Sequence, residues 1–75
     1  MEPLSERLEA ELEVRFTYHP PSAEQVPKYN AIRSAAYDFA RTLGQLCPES
    51  TELTRALDKL DEVVMLANAA IARRS

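Results

Sequence analysis

The chain has 75 residues, a net charge of −3 and one cysteine. A single domain of this size buries only about 60% of its unfolded surface, so a disulfide, a metal or self-association is expected to complete it. Cys47 alone excludes an internal disulfide, and Cys47 with His19 is too few ligands for structural zinc, which leaves self-association as the expected staple.

In chain order, PLSERLEAELEV places Leu4, Leu8 and Leu12 at four-residue steps and predicts a short amphipathic helix over 1–14, with glutamates on its other faces. FTYHPP breaks it, because consecutive prolines do not sit in a helix interior, and residues 15–22 are expected as a proline-rich loop. Ser22 followed by Gln25 fits a capping box and opens a second helix over 23–47, whose first turn Pro27 is expected to distort. Tyr29, Ile32, Ala36, Phe39, Ala40, Leu43 and Leu46 form its apolar stripe. CPES makes the turn, with Ser50 or Thr51 as a cap. A third helix over 49–74 carries the matching stripe of Leu53, Ala56, Leu57, Leu60, Val63, Val64, Ala67 and Ile71. The fold expected is therefore all-α: a short N-terminal helix and a long antiparallel helical hairpin, in one domain over residues 1–75.

Residues 63–72 read VVMLANAAIA, with Asn68 the one polar side chain. A helix apolar on every side must be covered on every side, which a two-helix hairpin does not achieve. Either several hairpins pack there, or the N-terminal helix folds back over it.

Charge is unevenly spread. Residues 1–14 balance to −4, residues 15–47 to +2 and residues 48–75 to −1. A weakly positive middle in an acidic chain suits a small anion better than duplex nucleic acid. No run approaches the roughly 20 apolar residues that cross a membrane and no signal peptide is visible, so a soluble cytoplasmic protein without a membrane partner is expected. No catalytic constellation, glycine-rich phosphate loop, HExxH or CxxC occurs, and the chain is not expected to be an enzyme or to carry a metal or cofactor.

The candidate ligand-binding residues cluster between Arg15 and Arg33 and at the C-terminus. Tyr18, between Phe16 and the stiff HPP, either stacks a flat partner at low entropic cost or packs on the hairpin to close the small core. His19, beside two prolines, is read first as a hydrogen-bond partner of a backbone carbonyl. Lys28 lies near the start of the second helix and Arg33 one turn beyond Tyr29, and both are candidates to meet phosphates, helped by the helix's positive end. Arg73 and Arg74 end the third helix, a place the dipole favours for cations whatever the function. In an antiparallel hairpin that end returns beside the prolines, Tyr18 and Lys28.

Four pieces occur in order: Phe16, Tyr18, His19, Pro20; then Gln25, Tyr29, Ile32, Arg33; then Pro48, Ser50, Glu52; then Met65, Ala67, Asn68, Ala69, Ile71, Ala72, Arg73. Over about residues 15–74 this set resembles the phage anti-CBASS cyclic-nucleotide sponges, which share a hairpin domain with anti-Thoeris sponges. The resemblance implies a homo-hexamer in the cytoplasm of an infected bacterial host. It implies binding, without cleavage, of cyclic dinucleotides such as 3′,3′-cGAMP between protomers, and of cyclic trinucleotides or cyclic ADP-ribose-type signals, so that the immune effector is not activated. By position it gives Tyr18 the base-stacking role, Arg33 or Lys28 the phosphate, and Arg73 or Arg74 the trinucleotide site. The alternative from the residues alone is a structural hairpin module or adaptor that oligomerises without a nucleotide ligand.

Overall fold

Two of the three helices start directly at a serine cap, in a computed structural model that describes residues 2–75. Ser5 accepts the Leu8 amide at 3.1 Å and starts α1 (Glu6–Phe16), with Glu6 and Glu9 in the first turn where the dipole favours them. The helix begins after Pro3 and runs two residues beyond the expected end, so Arg15 and Phe16 are helical. The proline pair restricts only the residue before it and leaves Phe16 free, and the chain turns extended at Thr17. Met1, counted in the expected first helix, lies outside the described residues.

The capping box forms in both directions: Gln25 N–H donates to Ser22 Oγ at 3.2 Å, and Ser22 N–H to Gln25 Oε1 at 3.1 Å. α2 (Val26–Leu46) follows after a separate turn at Ala23–Gln25, because Pro27 has no N–H to continue the ladder. Pro48 holds Cys47 extended and ends α2. Ser50 then accepts the Leu53 amide at 3.1 Å and starts α3 (Thr51–Arg74).

α2 and α3 pack as an antiparallel hairpin, while α1 packs against it far less among the described residues. Half-buried Tyr29, Ile32, Ala36, Ala40 and Leu43 face Leu53, Leu57, Leu60, Val64, Ala67 and Ile71 across the seam. Four residues of the expected stripes are not in it. Phe39, Leu46 and Val63 are 54%, 79% and 59% exposed, and Ala56 is exposed as well. A two-helix contact covers one sector of each helix, and at 100° per residue the neighbours of Ala40, Leu57 and Val64 turn out of it.

No described residue is fully buried, and the apolar run in α3 is covered by α2 on one side only. Met65 and Leu66 stand on its open side, 61% and 70% exposed, and α1 does not fold over them. The accessible surface is 6414 Å², against about 4,700 Å² for a folded monomer of this mass. The Cα radius of gyration is 16.9 Å, against about 11 Å for a compact chain of this length. The molecule is a thin plate of 52 × 35 × 14 Å rather than a globule.

Gln25 fastens the hairpin's open end. Besides the capping box, its Nε2 donates to the Ile71 and Ser75 carbonyls, both at 3.1 Å, tying the start of α2 to the last turn of α3. Gln25→Ala removes both bonds and half the box, and is expected to cost about 1–2 kcal/mol. A thermal melt should show a fall of roughly 5–10 °C; an unchanged midpoint would mean the network contributes nothing.

Candidate functional site

All three helices meet at the hairpin's open end. There the His19 imidazole donates through Nε2 to the Val14 carbonyl at 2.7 Å, satisfying one of the last carbonyls of α1. That bond pins the loop, and the prolines after it limit the loop's freedom. Tyr18 is left 80% exposed, so its ring does not close the core. It stands at the edge of an open cleft of about 360 Å³. Arg15 of α1, Thr17 and His19 of the loop, Tyr29 of α2, and Asn68, Ala69, Ala72 and Arg73 of α3 complete its lining.

Arg74 ties α1 to the hairpin through Glu11, a carboxylate that Arg15 of α1 itself also holds. Arg74 donates through Nη2 to Glu11 Oε2 at 2.7 Å, and Arg15 donates through Nε to the same oxygen at 2.6 Å. The Arg74 and Arg15 hydrogen bonds hold the Glu11 carboxyl well below its ordinary range, at about 2. Arg73 Nη2 also reaches the Arg15 carbonyl at a long 3.4 Å. The Asn68 amide oxygen is buried beside the cleft without a hydrogen-bond partner among the described residues.

Of the residues singled out from sequence, Tyr18, His19 and Arg73 share this cleft. Arg74 adjoins it but is turned to Glu11. Lys28 is exposed on the first turn of α2 and does not line the cleft, although the hairpin geometry led us to expect it there. Arg33 lies farther along α2, bonded to Asn30 Oδ1 at 3.2 Å. It lines a second groove of about 330 Å³ with Tyr37, Leu57 and Asp61. Within one chain, therefore, the aromatic ring and Arg33 line different grooves, and Lys28 lines neither.

Sequence reasoning missed Arg15 and Tyr29 as neighbours of Tyr18, and Glu11 as the partner of Arg74. For Tyr29 a signal existed, its place in the buried stripe of α2. Arg15 carried one too, as a cation in the last turn of a helix ending beside the tyrosine. Glu11 carried a signal toward Arg15, four residues on in one helix, but none toward Arg74, 63 positions away.

Among the described residues no His, Cys, Asp or Glu side chains gather into a metal-ligand cluster, and no helix is long and apolar enough to cross a membrane. The arrangement offers a flat ring, guanidinium groups and an amide around an open cleft, which is equipment for holding an aromatic anion. The family model described as Acb2/Tad1, hairpin domain, matches residues 8–72. No curated protein and no solved structure matches the chain.

Proposed function

This chain belongs to the Acb2/Tad1 hairpin-domain family, and on that premise we propose that it sequesters cyclic oligonucleotide immune signals by binding them intact. The observation that carries the reading is the exposed Tyr18 ring, on a loop that His19 pins, at a cleft that Arg15 and Arg73 line. A cyclic dinucleotide is a compact dianion with two flat bases. A ring on a loop backbone restrained by His19 and the prolines takes a base with little loss of backbone freedom, and nearby guanidinium groups meet the phosphates. The acidic chain as a whole is no obstacle, because only the local potential has to be positive.

In this reading the protein works as a homo-hexamer in the cytoplasm of an infected bacterial host, denying a phage-sensing effector its signal. Copies of the hairpin pack through their open apolar faces, and Arg33, or Lys28, of one copy completes the phosphate site at the Tyr18 of another. That arrangement answers the separation of these residues within one chain. Arg73, with Arg74 beside it, is the candidate for a separate cyclic trinucleotide site, and cyclic ADP-ribose-type signals are further ligands of the same chemistry. Binding is not followed by cleavage, so the ligand is held rather than turned over.

Titration calorimetry with 3′,3′-cGAMP, followed by heating and chromatography of the released ligand, tests this. The expected result is tight binding at about one ligand per two chains, as for a site shared across a two-fold axis, with the ligand recovered intact. Linear products would make it an enzyme. An absence of heat with cyclic di- and trinucleotides alike would leave a hairpin module whose open apolar surface serves assembly alone.

A further inference from the structure

Arg15 has its charge divided between two tasks. Its Nε is bound to Glu11 and its side chain is 55% exposed, while the residue lines both the cleft beside Tyr18 and a groove along α1 with Glu11. Among the described residues neither terminal nitrogen of its guanidinium has a hydrogen-bond partner. A guanidinium fixed through Nε presents its remaining fork as a planar, bidentate donor, the geometry that matches two oxygens of a phosphate. Glu11 is fixed in turn from the other side, because Arg74 donates to the same carboxylate oxygen. A chain of contacts thus runs from the end of α3, through Glu11, to the cleft.

We propose that Arg15 is a phosphate-binding side chain of the Tyr18 cleft, and that Glu11 and Arg74 are positioning residues that aim it. The ligand class is a compact phosphodiester or pyrophosphate group whose attached base or ring stacks on Tyr18. Arg74 thereby changes from a direct ligand contact to a support, since its guanidinium already serves Glu11. One carboxylate shared by two guanidinium groups leaves a net positive charge at the cleft, so Glu11 aims Arg15 without cancelling the site. The inference takes its ligand from the sponge reading, but the site stands on the Arg15 geometry.

The test uses the full chain, with calorimetry against 3′,3′-cGAMP and side-chain NMR of the arginines against inorganic pyrophosphate. Arg15→Gln is expected to weaken cGAMP binding by about 10- to 100-fold, the loss of a charge-assisted bidentate contact. Arg15→Lys keeps the charge but not the fork, and should recover only a small part of that loss. Glu11→Gln and Arg74→Gln should each weaken binding by about 2- to 5-fold, and neither should add to the loss once Arg15 is glutamine. That non-additivity separates positioning from a general loss of stability. Pyrophosphate should shift the Arg15 terminal N–H signals in the wild type.

Wild-type affinity in Arg15→Gln overturns the site and leaves the sponge reading standing. Tighter binding in Glu11→Gln would make Glu11 a competitor of the ligand and overturn the positioning role. If no cyclic nucleotide binds but pyrophosphate still moves the Arg15 signals, the sponge reading fails and the anion site survives. If pyrophosphate also leaves them unmoved, both fall.

Discussion

Tyr18→Ala is expected to weaken 3′,3′-cGAMP binding by roughly 5- to 150-fold, the range that corresponds to about 1–3 kcal/mol for a base stacked on an aromatic ring. The fold should not notice the change. The ring is 80% exposed, and the loop beneath it is held by His19 and by two prolines rather than by the tyrosine. Calorimetry measures the loss, and circular dichroism with sedimentation shows whether helix content and mass are kept. Wild-type affinity in a folded variant would remove Tyr18 from the site and leave the cleft without its flat partner. Tyr18→Phe separates the two properties of the side chain: it keeps the stacking face and should keep most of the affinity.

Leu66→Glu is expected to break the proposed assembly into its protomers. Leu66 is 70% exposed in the lone chain, on the open side of the apolar run of α3, with Met65 close by in sequence. The lone chain shows about 1,700 Å² more surface than a compact monomer of its mass, comparable to what a standard specific protein interface buries in all. In the assembly the substitution loses about 1.5–3 kcal/mol of apolar burial in each copy. It also places an unpaired carboxylate among apolar side chains, which costs several kcal/mol more. Sedimentation should show a fall from a multiple of 8.5 kDa to the single chain. A variant that keeps the wild-type mass would place the contact on another face, and a monomeric wild type would remove the oligomer from the proposal. Because Arg33 and Tyr18 line different grooves of one chain and Lys28 lines neither, loss of assembly should take ligand binding with it.

Much of the architecture was legible in the residues because it is decided locally. Ser22 with Gln25, Pro27, Pro48 and Ser50 act within four residues of themselves, and each does in the structure what its chemistry requires. The end of α1 was less legible. Thr17, not the proline pair, is where the backbone turns extended, and no side chain there announces it. The family resemblance agrees with the match over residues 8–72, since an ordered set of pieces carries more information than any one of them.

The sequence by itself determined an all-helical chain, most of the hairpin's seam and a proline-stiffened aromatic loop, because helix periodicity, caps and proline stiffness are properties of neighbouring residues. It also determined that such a hairpin leaves apolar surface open, since one helix covers only one sector of another. Only the tertiary structure decided which apolar side chains point away, as Phe39, Leu46 and Val63 do, because that depends on how the two helices face each other rather than on either stripe. Only it joined Glu11 to Arg74 across 63 positions, aimed Arg15 at the Tyr18 cleft and placed Arg33 in a different groove. Contacts of that kind are made when the chain reverses and its two ends meet, and no local pattern encodes where two distant side chains come to lie.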